Sequence, residues 1–340
     1  MKGNYPKLPK IAGASARGFE NTPIKETGIN EASMRCPTLT ELPPPPRGKT
    51  GWPWTEETQQ LPEVMPDGAL WPRVSIVTPS YNQGEFIEET IRSVLLQGYP
   101  NLEYIIMDGG STDNSVAIIK KYEPWLACWV SEPDKGQSHA INKGFRKATG
   151  KVLAWLNSDD YFQQSAVATL VGLRGKHEDC VGWVGACQEI SREGSPIREV
   201  RKPRVGNKGQ LGNWGVEAFF CQPSCFFDSR LFTDVGGLDE RLHYAMDLDL
   251  WLRLSELGDF ASTDEVVSYY RYYASAKTFR DDPMREAEVI ASNFNRGMPE
   301  VARMRLVHHV SLSLDKMPLR AFLVYLARRV GHGLWHLIRS

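Results

Sequence analysis

Residues 157–160, Asn-Ser-Asp-Asp, set two adjacent carboxylates directly after the apolar run 152–156. A short apolar run of this kind makes a buried strand, and Asn, Ser and Asp are turn formers, so Asp159 and Asp160 fall at a strand's carboxyl end. Neighbouring carboxylates repel each other. A divalent cation with a phosphate behind it would offset that repulsion, and hard oxygen ligands suit Mg²⁺ or Mn²⁺. The same acids would also serve to cap a helix expected to begin near Gln163, since Asp is a favoured N-cap.

The elements that must position these acids alternate. A strand over 74–78 runs into Pro79, Ser80, Tyr81 and Asn82, and a helix with Ile87, Ile91, Val94 and Leu95 on one face follows. Gly98 and Pro100 close that helix, as a C-cap and a stop should. A second strand, 102–107, meets Asp108, Gly109 and Gly110; the next helix opens at Asp113, carries Val116 and Ile119 inward and stops at Pro124. A brief strand over 128–131, a loop over 132–137 and a helix from about 138 to 147 complete the run. Such alternation predicts an α/β fold with a mainly parallel, Rossmann-like sheet and helices on both faces. In these sheets ligands bind beyond the carboxyl ends of the strands. Polar and turn residues gather on that rim, at 78–82, 108, 131–134 and 157–160. No GxGxxG follows the first strand and no GxxxxGK[ST] occurs, which excludes an ordinary dinucleotide enzyme and a P-loop enzyme. Phosphates would be held by carboxylate-bound metal and not by a glycine cradle.

The chain has 340 residues, 40 basic and 41 acidic. That balance argues against a nucleic-acid binder working through bulk positive charge. The first ten residues lack an apolar signal region, and no apolar run reaches the length of a membrane span, so a cytoplasmic protein is expected. Six cysteines show no zinc-type pairing, Cys221 and Cys225 having no second pair or histidine beside them. They read as reduced packing residues. Residues 1–70 form a Pro-rich extended arm, with Pro43 to Pro46 favouring polyproline II. Trp52 and Trp54 in that arm would anchor it on the following domain or touch an acceptor. A tail, 281–340, reads as helical. Its last part, 317–338, mixes apolar residues with Arg320, Arg328 and Arg329 and has no acid. Such a stretch suits the inner face of an anionic membrane, or packing on the domain or on another subunit.

Four segments together resemble family 2 glycosyltransferases of the GT-A type: VSIVTPSYNQGEFIEETIRSVLLQGYPNLEYIIMDGGSTDNS, SEPDKGQSHAINKG, WLNSDD and GGLDERLHYAMDLDLWLRL. The resemblance spans about 71 to 280, which it marks as the catalytic domain between arm and tail. It implies an inverting transferase that takes a nucleotide-diphosphate sugar, with uracil the common base, and a divalent metal. Thr78, Pro79 and Tyr81 would lie along the base and Asp108 would hydrogen-bond it. The family often has a second aspartate beside Asp108, where this chain has Gly109. Gly136, Gln137 and Asn142 would line the nucleotide or sugar pocket. Asp160 falls at the metal and diphosphate contact, and Asp159 at the ribose. Asp247 matches the general base, which takes the acceptor proton as the hydroxyl attacks; a plain helix cap is its alternative, and Asp249 could hold either role. Gln222, Arg271 and Lys277 are candidates near the acceptor or phosphate. Tyr273 stands where the family often has a histidine. The acceptor would be a glycan or polyisoprenyl-linked hydroxyl in surface polysaccharide or glycolipid synthesis. Two other functions compete: a non-catalytic nucleotide-sugar-binding or assembly subunit, and a sugar-1-phosphate nucleotidyltransferase. The latter wants a Gly-rich basic loop after the first strand, which PSYNQGEF lacks.

Overall fold

The computed structural model describes residues 35–205, 218–273 and 276. The expected alternation is present as β1 (Val74–Ser80), α1 (Ile87–Leu95), β2 (Leu102–Asp108), α2 (Ser115–Tyr122), β3 (Cys128–Ser131), α3 (Gln137–Phe145) and β4 (Val152–Trp155). There follow β5 (Tyr161–Phe162), α4 (Ala166–Lys176), β6 (Gly182–Ile190), β7 (Cys225–Asp228), α5 (Ser229–Asp234), α6 (Met246–Ser255) and β8 (Phe260–Arg271). Among the described residues these strands form one sheet in the order β3-β2-β1-β4-β7-β6-β8-β5. The half from β3 to β4 is parallel. Beyond it β7 runs antiparallel to both β4 and β6, and β8 returns parallel to β6. The sheet is therefore mixed, with the expected parallel half from β3 to β4 and a second parallel pair, β6 and β8, beyond β7.

Strand residues alternate between two cores, as the two-residue period requires. Val74 and Ile76 face α1, α2 and α4, while Val77 faces α3, α5 and α6. Close packing of α3 on β1 depends on Gly144, where a Cβ would meet Val77 Cγ1 at 2.5 Å. Trp155, at the end of β4, stacks on Trp251 of α6 with ring centroids 5.4 Å apart and planes at 14°.

The second half of the arm departs from the expectation of an extended segment outside the core. Cys36 and Leu42 belong to the core cluster, and Trp54 is buried. The cause lies in α1. Its Arg92 is fully buried and donates to the carbonyls of Pro43 (2.8 Å), Pro53 (3.0 Å) and Trp54 (2.9 Å), and to the Tyr122 hydroxyl (3.2 Å). A guanidinium has five donors, and extended proline-rich backbone leaves its carbonyls free to accept. Trp52 Nε1 also donates to Phe162 O at 2.7 Å, so the tryptophan cluster anchors the arm. Lys277 and the tail beyond it lie outside the described residues. No described helix is long and apolar enough to cross a membrane.

Candidate active site

The carboxyl ends of β1 to β4 converge on one rim, and the residues there are held by the loops as much as by the strands. Asp159 and Asp160 do not cap the next helix: β5 intervenes, and α4 starts only at Ala166 with Ser165 as its N-cap. Instead they are fixed from β8, more than a hundred residues later. The Arg271 N–H donates to Asp160 Oδ1 at 2.8 Å, and Arg271 Nε donates to the Asp159 carbonyl at 2.9 Å. Asn157 Nδ2 reaches Asp160 Oδ2 at 3.4 Å, and Thr90 Oγ1 donates to the Asp160 carbonyl at 2.7 Å.

Asp160, expected at the metal, is only 2% exposed and both its oxygens already accept from the protein. Asp159, expected at the ribose, is the more open carboxylate and accepts from the Tyr273 hydroxyl at 2.8 Å. Burial pushes the pKa of both acids up, and the Asp159 charge pushes Asp160 further, well above the usual carboxylate range. Both shifts record the same unfavourable packing of negative charge in low dielectric. A cation at this turn would relieve it. The described residues contain no cluster of three ligating side chains. An Mg²⁺ ion here would be held by one or two carboxylates together with substrate phosphates, its usual arrangement.

Arg271 is not a free phosphate ligand. Its side chain is 3% exposed and pairs with Glu89 at 2.6 Å, while Nη1 donates to the carbonyls of Ser191 and Arg192. Glu89 escaped the sequence reading because α1 carries two adjacent acids and nothing local says which one meets β8.

Several other expected ligand contacts are engaged within the protein. The fully buried Thr78 hydroxyl pairs with the Tyr104 hydroxyl at 3.0 Å, so its side chain cannot lie along a base. Pro79 is buried beside it, whereas Tyr81 is 61% exposed at the rim. Asp108 accepts from Gly110 N (3.1 Å), Ser111 N (2.9 Å), Ser111 Oγ (2.5 Å) and Ser131 Oγ (2.7 Å). Three of these bonds reach Oδ2 and one reaches Oδ1, so Oδ2 is committed to the turn while Oδ1 accepts only from Ser111 Oγ. Asn142 donates to Leu238 O and Glu240 Oε1 and accepts from Leu238 N. It fastens the segment before α6 to α3. Ser80 Oγ, buried at the end of β1, has no partner among the described residues. An unpaired buried hydroxyl costs about 1–3 kcal/mol, and a ligand at the rim can satisfy it.

At the end of β4 an amide chain links three elements. Gln137 Nε2 donates to Asn157 Oδ1 (2.7 Å), Asn157 Nδ2 donates to Gln222 Oε1 (3.3 Å), and Gln222 Nε2 donates to Trp155 O (2.8 Å). Gln137 starts α3 after Gly136, whose φ of +110° needs no side chain and whose N–H donates to Asp134 Oδ1 at 2.7 Å. Asn157 is the centre of this chain, and its position in the WLNSDD turn was the only sequence signal for it.

Asp247 sits in the first turn of α6, which begins at Met246, and its Oδ1 accepts from Leu248 N at 2.8 Å. It is four residues before Trp251 and so shares that face of the helix. Trp251 stacks on Trp155, and Ser138 of α3 donates to Leu242 O at 3.0 Å and to Met246 Sδ at 2.9 Å, so the start of α6, where Asp247 lies, packs against the start of α3. Asp249 is 5% exposed and ion-paired with Arg253 at 2.7 Å, and Arg253 also donates to Val235 O. Through Arg253 it ties α6 to the preceding loop.

The family model described as Glycosyl transferase family 2 matches residues 75–234. The uncharacterized glycosyltransferase MT1564 of Mycobacterium tuberculosis is 33% identical over 189 residues, covering 54% of this chain and 68% of that protein. A chondroitin synthase of Escherichia coli is 28% identical over 57% of this chain, which spans only 28% of the synthase. The uncharacterized glycosyltransferase RP339 of Rickettsia prowazekii is 27% identical, with 61% of this chain and 66% of that protein aligned. Among solved structures, S. aureus TarS 1–349 in complex with UDP-GlcNAc superposes with a TM-score of 0.54 at 15% identity, over 69% of this chain and 70% of that one. The mannosyltransferase PcManGT of Pyrobaculum calidifontis, in complex with GDP-Man and Mn²⁺, gives 0.51 at 18% identity, over 78% and 83%. The family-model match, a shared fold and a one-third-identical relative aligned over two thirds of its length make this chain a member of glycosyl transferase family 2, a glycosyltransferase with a GT-A fold.

Proposed function

We propose that the enzyme transfers a sugar, with inversion, from a nucleotide-diphosphate donor to a hydroxyl of a glycan or polyisoprenyl-linked acceptor, in surface polysaccharide or glycolipid synthesis. What supports this most directly is the packing of the start of α6, which carries Asp247, on the start of α3, whose Gln137 donates to Asn157 in the turn of Asp159 and Asp160. Nucleotide sugars are bound by both structural neighbours, UDP-GlcNAc by TarS and GDP-Man by PcManGT. In this reading Tyr81 lies against the base, and Gln137, Asn157 and Gln222 orient the sugar. Asp247 takes the proton from the acceptor hydroxyl as it attacks the anomeric carbon.

Asp159 would hold a Mn²⁺ or Mg²⁺ ion, with Asp160 and Arg271 fixing the turn behind it. That ion, when bound, would act as a Lewis acid toward the departing diphosphate. The basic stretch 317–338 would bring the enzyme to the inner face of an anionic membrane, where a lipid-linked acceptor resides.

Asp247→Asn tests the assignment. Loss of a general base costs about 10²- to 10⁴-fold in rate, so transfer should fall by that factor with donor affinity unchanged. Undiminished kcat in the variant would remove Asp247 from the reaction.

A further inference from the structure

The family model matches from residue 75 onward, and the arm that precedes it reaches the acidic turn from behind. β5 follows Asp160 directly and ends the sheet. On one side Tyr161 and Phe162 register with Tyr269 and Ser268 of β8. On the other side no strand pairs with them among the described residues. An edge leaves a row of backbone groups unpaired, and two residues are too few to hold a strand in place alone. Here side chains stand in for the next strand. Thr90 Oγ1 of α1 donates to the Asp160 carbonyl at 2.7 Å, and Ser93 Oγ of α1 accepts the Phe162 N–H at 3.1 Å. The arm supplies two more bonds: Trp52 Nε1 donates to the Phe162 carbonyl at 2.7 Å, and Thr58 Oγ1 accepts the Ser165 N–H at 3.2 Å. Both arm residues are themselves held. Trp52 packs on the core cluster, and the buried Thr58 donates its own N–H to Leu96 O at 3.1 Å.

The turn is thus gripped from two directions, since β8 holds it from the far side through the Arg271 N–H on Asp160 Oδ1. Between the grips two adjacent carboxylates repel each other, which favours opening of the turn. We propose that Trp52 and Thr58 are positioning residues for the cation: by pinning Phe162 and Ser165 they keep β5 against β8, and so keep the Asp159 carboxylate where the donor's ion binds. The assignment rests on the reading of Asp159 given above and extends it to a segment that the family model does not match.

The test uses the full chain. Trp52→Phe keeps an aromatic ring and removes the donor; Thr58→Val keeps the shape and removes the acceptor. Mn²⁺ affinity, read by electron paramagnetic resonance with saturating UDP or GDP, should fall about three- to ten-fold in each, the worth of one hydrogen bond, and further in the double variant. Raising Mn²⁺ in proportion should return transfer to the wild-type kcat. Ile119→Val is the control, a truncation in the buried face of α2 that lowers the melting temperature without touching β5. It should leave Mn²⁺ affinity at the wild-type value. Mn²⁺ affinity within about two-fold of wild type in the double variant, well under two lost hydrogen bonds, would overturn the positioning role alone, provided Asp159→Asn still loses the ion. An equal fall in Ile119→Val would overturn it too, leaving the arm a support of the fold. Unchanged affinity in Asp159→Asn would overturn the reading of Asp159 and this assignment with it.

Discussion

Tyr273 shows how much a single side chain can change at this site. Its hydroxyl donates to Asp159 Oδ2 at 2.8 Å. Burial, and then the Asp159 charge, push the Tyr273 pKa up, so the phenol keeps its proton and remains a donor. A cation approaching Asp159 must compete with this hydrogen bond. Hydrogen bonds to charged groups contribute about 1.5–3 kcal/mol, so Tyr273→Phe should tighten Mn²⁺ binding by roughly ten-fold or more. Weaker Mn²⁺ binding in this variant would mean that the hydroxyl aligns Asp159 for the ion and does not compete with it. Residue types at the rim were legible in the sequence, because turn formers after apolar runs mark strand ends. Their engagement was not. Thr78, Asp108 and Asn142 each have the right type and position, but their partners, Tyr104, Ser131 and Leu238, come from other elements.

At the scale of elements, α1 explains why the arm folds onto the domain. The pattern Ile87, Ile91, Val94 and Leu95 gives a helix with one apolar stripe. In the fold, Glu88, Thr90, Arg92 and Ser93 are buried as well, so the helix is covered nearly all round. Its second cover is the arm, and the spacing of apolar residues within α1 carries no trace of it. Arg92 is the joint. Replacing it by Leu leaves the carbonyls of Pro43, Pro53 and Trp54 without their donor, at about 1–3 kcal/mol each if they stay buried. Arg92→Leu should therefore lower unfolding free energy by roughly 3 kcal/mol or more, read as a fall in the urea midpoint, and expose the arm to proteolysis. A midpoint within experimental error of wild type would show that the arm contributes little to the fold.

At the scale of the whole molecule, the site is made where the parallel half of the sheet meets strands that return late in the chain. β1 to β4 supply the rim and their order followed from simple alternation. β8 and the residues just after it then deliver Arg271 and Tyr273 to the Asp159–Asp160 turn, and α6 packs Trp251 on Trp155 with its first turn against α3. These long-range closures have no periodic signature, which is why Arg271 read as a surface or phosphate-binding charge and why the burial of Asp160, expected at the metal, was not legible. The account's central claim is that Asp159, held open on a turn whose neighbour Asp160 is buried, carries the cation that accompanies the donor. Mn²⁺ titration followed by electron paramagnetic resonance, with saturating UDP or GDP, measures this directly. Asp159→Asn should weaken Mn²⁺ binding by about a hundred-fold, two decades being about 2.7 kcal/mol for a lost charged ligand, and leave the fold intact. Mn²⁺ affinity equal to wild type in Asp159→Asn would place the ion elsewhere and contradict the account.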